Sequence, residues 1–108
     1  MIERDWSTTV EATLSLLGWR WCHFRVARTK AGWRTPMSGS VGFPDIVAVR
    51  GERVVYIELK SDSGRLRPEQ KDWIGDLEAA GQEVYVWRPS DDWAAITEIL
   101  RRDRSAAA

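Results

Sequence analysis

Three charged side chains in residues 42–60 have the types and spacing of a hydrolytic metal site. Asp45 stands directly before one apolar run, and Glu58 and Lys60 lie near the end of the next. Gly51 is the turn signal between the two runs, so the pair is predicted to form a β-hairpin. Antiparallel pairing brings the start of one strand beside the end of the other. The two carboxylates are therefore expected to meet at one edge of the sheet.

Two converging carboxylates make a hard-oxygen site, which Mg²⁺ or Mn²⁺ prefers. The carbonyl of Leu59 could add a third oxygen. Lys60 shares a strand face with Glu58, where its ammonium can hold a water or hydroxide, or stabilise a phosphorane-like transition state. Because magnesium binds substrate phosphates, the expected reaction is metal-assisted hydrolysis of a phosphodiester. The alternative is an exposed Glu58–Lys60 ion pair, since Glu-x-Lys alone is a weak signal; Asp45 after Gly-Phe-Pro makes the pattern more specific.

The elements that must position these residues follow from hydrophobic periodicity. The pattern predicts an α/β domain with the order α-β-β-β-α-β-α and a mixed sheet covered by helices on both faces. A loop is expected at 28–41, a single domain over 1–104, and a frayed tail at 105–108. Ser90 is expected to cap the last helix. The predicted helices and strands span residues 3–17, 19–27, 46–49, 54–60, 68–80, 83–88 and 91–102.

Two helices offer polar side chains to the site. In the first, Glu3 lies within the inward apolar stripe, whereas Glu11 lies about 110° from its centre at ~100° per residue. Glu3 is therefore the preferred additional acid, and Glu11 competes with it. In the helix after the hairpin, Gln70 is the one polar member of the apolar stripe. Its amide is expected to face the strands.

The formal net charge is zero, but the charges are unevenly distributed. Between residues 18 and 44 there are five bases and no acid, which suits a phosphate-binding surface beside an acidic site. A loop that is merely basic explains the charge equally well. Trp33 could stack on a base or sugar or equally cover the core. His23 is a further candidate for substrate contact, although a lone histidine is more often a hydrogen-bonded structural residue. The five bases are Arg20, Arg25, Arg28, Lys30 and Arg34.

The totals point to a cytoplasmic globular protein. No apolar run approaches the ~20 residues of a membrane span, and the N-terminus has no signal-peptide core. The single cysteine, Cys22, excludes an internal disulfide, suits a reducing compartment and is expected to be buried. Seven tryptophans in 108 residues are expected to anchor the core or an interface.

Three motifs resemble those of the VRR-NUC domain, a branch of the PD-(D/E)XK nuclease superfamily. They are Gly42-Phe43-Pro44-Asp45, Glu58-Leu59-Lys60 and Leu66-Arg67-Pro68-Glu69-Gln70. The resemblance extends over nearly the whole chain and is to the small stand-alone form of phages and bacteria. It implies a restriction-endonuclease-like fold, cleavage of DNA with a divalent metal, and a cytoplasmic location in a bacterium or a phage-infected host.

The resemblance also implies roles for individual residues. Asp45 and Glu58 would bind metal, Lys60 would be the catalytic lysine, and Gln70 would orient the water or Lys60. Glu3 would be the acid from the first helix. By the same analogy the chain would act as a homodimer on double-stranded or branched DNA such as four-way junctions.

Two other classes of function compete with a nuclease. One is a non-catalytic nucleic-acid-binding module on a nuclease fold; the complete set of Asp45, Glu58, Lys60 and Gln70 argues against it. The other is a structural interaction protein, for which the tryptophans would be the interface anchors.

Overall fold

In the computed structural model the backbone is described for residues 3–25, 27–29, 32–34 and 37–103, and the side chains for residues 5–25 and 37–103. The tail predicted at 105–108 lies outside these ranges. The elements in chain order are α1 (Glu3–Leu16), β1 (Arg20–His23), β2 (Ala27–Thr29), β3 (Gly32–Arg34), β4 (Ile46–Arg50), β5 (Arg53–Leu59), α2 (Pro68–Ala79), β6 (Glu83–Trp87) and α3 (Trp93–Arg101).

A mixed four-stranded sheet in the order β1-β4-β5-β6 forms the centre of the fold. The first three strands pair antiparallel, and β6 runs parallel to β5 after the α2 crossover. Gly51, at a φ of +60°, makes the turn between β4 and β5. The predicted architecture, α/β with the order α-β-β-β-α-β-α, is confirmed. Within the described ranges, no helix is both long and apolar enough to cross a membrane.

One face of the sheet carries the hydrophobic core. Strands β4 and β5 contribute alternate, fully buried side chains, among them Ile46 and Ile57, which are paired in register. Helices α1 and α3 cover this face with Trp6, Val10, Leu14, Ile96 and Leu100. Burying each aliphatic side chain of this core contributes about 1.5–3 kcal/mol, and a one-residue slip of β5 would turn its core side chains outward. The core therefore fixes Glu58, the neighbour of Ile57, on the opposite face.

The prediction of a loop over residues 28–41 is wrong for part of that range. Strands β2 and β3 form a separate two-stranded antiparallel sheet, with Arg28 opposite Trp33. The first strand, predicted over 19–27, ends at His23, and Ala27 already belongs to β2. Strands of three residues are too short to show an alternating pattern, so the sequence gives no signal for them.

Two local expectations are corrected by the structure. Helix α3 is capped by Asp92, whose carboxylate accepts from the amides of Ala94 and Ala95, and not by Ser90. The Ser90 amide instead donates to the Asp62 carboxylate at 2.8 Å, which draws Ser90 away from the helix. Cys22, expected to be buried, is exposed on the edge strand β1.

A buried arginine closes the end of the sheet farthest from Asp45. The Arg53 side chain is 2% exposed and donates from two nitrogens to Glu83, at 3.0 and 2.7 Å. A third nitrogen donates to the carbonyls of Ile99 and Arg102 at the end of α3. The hydrogen bonds from Arg53 hold the pKa of Glu83 below its ordinary value of 4.5.

Replacing Glu83 with Gln is expected to remove an acid-sensitive part of the stability. Because the folded-state pKa of Glu83 is depressed, its carboxylate stabilises the fold above pH ~4.5, and this contribution is lost as the pH falls through the folded-state value. Urea unfolding at neutral and acid pH should show Glu83→Gln less stable than wild type at neutral pH and less sensitive to acid. The control for loss of one charge is Glu78→Gln, on the exposed side of α2. An equal change in the pH dependence of its unfolding would show that the acid-sensitive stability does not come from Glu83.

Candidate active site

The hairpin brings Asp45 and the end of β5 together as the sequence predicts. The Asp45 Oδ2 atom accepts a hydrogen bond from the Leu59 amide at 2.9 Å. This bond lies one step beyond the Ile46–Ile57 pair of the β4–β5 ladder. Asp45 is therefore held beside the backbone that carries Glu58 and Lys60.

Glu58 is a carboxylate almost removed from water. Its side chain is 2% exposed, and its Oε2 atom accepts from the Gln70 amide at 2.8 Å. The same oxygen lies 3.7 Å from the Lys60 ammonium, whose side chain is 15% exposed. At 3.7 Å the two charges attract each other, but the distance exceeds hydrogen-bond length. Lys60 is thus drawn to the site without being locked to Glu58.

Gln70 connects the site to the start of α2. Pro68 occupies the first helical position, which suits its fixed φ. Two residues on, Gln70 Oε1 accepts from the Arg67 amide at 2.9 Å, and Nε2 donates to Glu58. These two bonds fix the amide orientation. The expectation that Gln70 faces the strands is confirmed, since the residue is buried; its partner in the structure is Glu58.

The segment before Asp45 fits tightly between α2 and the sheet. Gly42 has a φ of +99°, and a Cβ at this position would lie 2.7 Å from the carbonyl carbon and oxygen of Glu69. Phe43 packs edge-on against Tyr56 of β5 and Trp73 of α2, with ring centroids 5.9 and 5.0 Å apart. The position of Asp45 is therefore coupled to the helix that supplies Gln70.

The two candidate acids of α1 differ in what the structure describes. Glu11, 14% exposed, accepts from Arg25 at 2.5 Å and lies 2.6 Å from His23 Nδ1. His23 pairs with Ile46 across the sheet, next to Asp45, but on the core face. The side chain of Glu3 lies outside the described part, so its place in the site stays a prediction.

The backbone at the start of α1 lies at the same end of the sheet as Lys60. The Trp87 carbonyl accepts from the Lys60 amide at 3.0 Å and from the Trp6 indole at 3.2 Å. Trp6 is one turn after Glu3 on the helix. The first turn of α1 thus begins near the candidate site.

The predicted DNA-binding residues fall into two groups. His23 and Arg25 are both engaged with Glu11, although Arg25 remains 57% exposed. Arg28, Trp33 and Arg34 lie in strands β2 and β3, and their side chains are outside the described part. Lys30 lies outside the described residues.

Sequence reasoning missed the basic residues after Lys60. Arg65 and Arg67 are exposed on the segment between β5 and α2, and Arg67 pairs with Glu69 at 2.9 Å. Their signal was present in the sequence as two arginines within seven residues of the candidate catalytic lysine.

The predicted metal ligands are chemically suited to a hard divalent cation. Asp45, Glu58 and the Leu59 carbonyl would supply oxygen atoms only, and magnesium needs few protein carboxylates because it keeps several waters. A carboxylate has about four lone-pair positions, so the bonds to Leu59 and Gln70 are compatible with an ion. Among the described side chains, no group of three or more His, Cys, Asp or Glu residues is placed to hold a metal.

Comparison with known proteins identifies the class of domain. Residues 22–91 match the model of the VRR-NUC domain. Because this match covers more than half of the chain, the chain belongs to the VRR-NUC family of nuclease domains. The family resemblance inferred from the motifs is thereby confirmed.

The fold has a counterpart among solved structures. It is similar to Hjc, a Holliday junction resolvase from the archaeal hyperthermophile Archaeoglobus fulgidus, with a TM-score of 0.54 and 20% sequence identity. The alignment covers 83% of this chain and 72% of that chain. At this identity the likeness shows a shared fold. A comparison with curated protein sequences finds no significant match.

Substituting Gly42 with Ala is expected to destabilise the protein by about 2 kcal/mol or more, from a positive φ and overpacking against the α2 backbone. Gly75→Ala is the matched control, since a Cβ at this exposed helical position meets nothing within 4 Å and should stabilise by roughly 0.5–1 kcal/mol. Urea unfolding measures both. Equal stability of the two variants would show that Gly42 does not need its close approach to α2.

Proposed function

We propose that this chain is a divalent-metal-dependent DNA endonuclease. The observation that carries the proposal is the arrangement at one sheet end, where Asp45 is bonded to the Leu59 amide and Gln70 is bonded to the buried Glu58. Lys60, 3.7 Å from Glu58, supplies a cation at the mouth of this site. Membership of a nuclease-domain family supports the same reaction.

Asp45, Glu58 and the Leu59 carbonyl are proposed to hold Mg²⁺ or Mn²⁺, with Glu3 as an additional ligand. Glu11, the alternative acid of the first helix, is paired instead with His23 and Arg25. When bound, the ion activates water and neutralises charge on the scissile phosphate. Gln70 keeps the Glu58 carboxylate in one orientation. The Lys60 ammonium donates to the attacking water or to the phosphate oxygens, where negative charge develops in the transition state.

The charge of the surface restricts the side from which DNA approaches. An open groove of about 590 Å³ next to α2 is lined by Ser40, Val41, Glu69, Asp72, Trp73 and Asp76. Glu69 is paired with Arg67 at 2.9 Å, and the carboxylates of Asp72 and Asp76 repel a phosphate backbone. Charge of the opposite sign is carried by the segment of residues 18–44, which has five bases and no acid, and by the exposed arginines that follow Lys60. DNA is therefore proposed to cross the site between them and to avoid the groove.

We infer further that the substrate is branched DNA and that two copies act together. The fold is similar to that of a Holliday junction resolvase, and paired cuts across a four-way junction require two active sites. A homodimer would supply them. Sedimentation of the protein alone and with a four-way junction measures the copy number, and one copy per junction would contradict paired cutting.

Incubation with linear, flapped and four-way DNA is expected to give cleavage in Mg²⁺ or Mn²⁺ and none in EDTA. Lys60→Ala and Asp45→Asn should lower the cleavage rate by a factor of about 10² or more while DNA binding persists, because each removes a group that acts on the reacting phosphate. Lys71→Ala, on the exposed side of α2, is the control for losing one lysine. Cutting at the wild-type rate by Lys60→Ala would refute the site assignment.

The competing function is a binding module that does not cut. It predicts wild-type DNA affinity for every site variant and no products with any metal. The complete set of site residues and the two hydrogen bonds that orient their carboxylates argue against it.

Neutralising Arg25, Arg28 and Lys30 to Gln should flatten the salt dependence of DNA binding. Each lost phosphate contact lowers the slope of log K against log salt by about 0.9. Arg25 should contribute least, since Glu11 already pairs with it. The control is Arg101→Gln, an exposed arginine at the end of α3 and at the opposite end of the sheet. An equal change per charge in the control would exclude this segment as the binding surface.

A further inference from the structure

After β5 the chain forms a turn over residues 61–64, which is hydrogen-bonded to the segment at the end of β6. One nitrogen of the Arg88 guanidinium, Nη1, donates to the carbonyl of Ser61 at 2.6 Å and also to that of Gly64. The Ser90 amide donates to the Asp62 carboxylate at 2.8 Å. These bonds continue the β5–β6 pairing beyond its last strand partners, Leu59 and Trp87.

The same turn lies against the side chain of Lys60. Within it, the Gly64 amide donates to the Ser61 hydroxyl at 3.0 Å and to the Ser61 carbonyl at 3.2 Å. A Cβ added at Gly64 would stand 2.9 Å from Ser61 Oγ and 3.6 Å from Lys60 Cδ. The closed turn thus forms one wall beside the aliphatic part of the lysine.

The backbone on both sides of the Trp87–Arg88 peptide bond is also hydrogen-bonded. The Arg88 amide donates to the Asp91 carboxylate at 2.7 Å, and the preceding carbonyl, that of Trp87, accepts from the Lys60 amide. The backbones on either side of the turn are therefore fixed, and the Arg88 side chain bridges them. Since the guanidinium is planar and rigid, it can hold two carbonyls in a defined relation.

We propose that Arg88 is a positioning residue for Lys60, acting through residues 61–64. The Lys60 ammonium is only loosely held by Glu58 at 3.7 Å, and a lysine stem has several rotatable bonds. Packing of the turn against the stem is what restricts where the ammonium lies. The proposal rests on the proposed function, because it assigns Arg88 to the same reaction, but its structural part does not depend on cleavage.

The kinetic test compares Arg88→Met with Arg88→Lys. Arg88→Met keeps an aliphatic side chain and removes every donor, so kcat should fall about 10- to 100-fold with KM and DNA affinity unchanged. Arg88→Lys retains one donor group and should recover part of the rate. Loss of DNA affinity with kcat unchanged would overturn the proposal, because Arg88 would then be a phosphate contact.

A second readout follows Lys60 directly and needs no activity. The rate at which an amine-reactive reagent labels Lys60, measured by mass spectrometry against the exposed Lys71 in the same molecule, should rise in Arg88→Met. Gly64→Ala should raise it as well, since its Cβ displaces the turn from the other side. Arg101→Met, on the exposed part of α3, should leave labelling and kcat unchanged.

The two readouts separate the possible failures. Faster labelling of Lys60 in Arg88→Met and Gly64→Ala, with no cleavage by the wild-type protein, would refute the nuclease while retaining the positioning contact. Wild-type labelling and kcat in both variants, with unchanged thermal unfolding, would overturn the role of Arg88. Should Arg88→Met not fold, Gly64→Ala and Arg88→Lys decide the question by the same measurements.

Discussion

Burial of the Glu58 carboxylate is the constraint to which the rest of the site is fitted. An ion removed from water costs several kcal/mol unless opposite charge and hydrogen bonds compensate it. Here Gln70 donates to the carboxylate and Lys60 provides the charge. Gln70 can reach Glu58 only if α2 begins close to the sheet, and the approach of Gly42 to the α2 backbone permits this. The loop, the helix and the strand thus form one arrangement around a single buried charge.

The parts of this fold that the sequence predicts are those set by local patterns. The β4–β5 hairpin follows from two alternating runs around Gly51, and α2 from Pro68 and an apolar stripe. The short β2–β3 sheet could not be predicted, since strands of three residues carry no periodicity. Ser90 and Asp92 are both good helix caps; the choice between them depends on a bond from Ser90 to Asp62, 28 residues away.

The same division applies to the candidate site. The meeting of Asp45 with the end of β5 was predictable, because antiparallel register alone places them together. The partner of Gln70 was not, because it depends on where the crossover sets α2 against β5. Contact between Glu11 and His23 escaped prediction for a related reason. Glu11 lies to one side of the apolar stripe of α1 and faces the edge strand β1. Helical periodicity alone does not show which side chains that strand presents to the helix.

The two ends of the sheet carry different kinds of interaction. At the end of α1 and α3, Arg50 and Arg53 donate to carbonyls of Leu17, Ile99 and Arg102, where cations are favoured by the helix dipole. The acids and the lysine of the candidate site lie at the other end. Asp45 and Lys60 lie outside this second network, so their replacement leaves the far end of the sheet intact. Lys60 does compensate the buried Glu58 charge, and removing it is expected to cost stability as well as chemistry. A loss of cleavage on its replacement is therefore interpreted together with the measured stability of the variant.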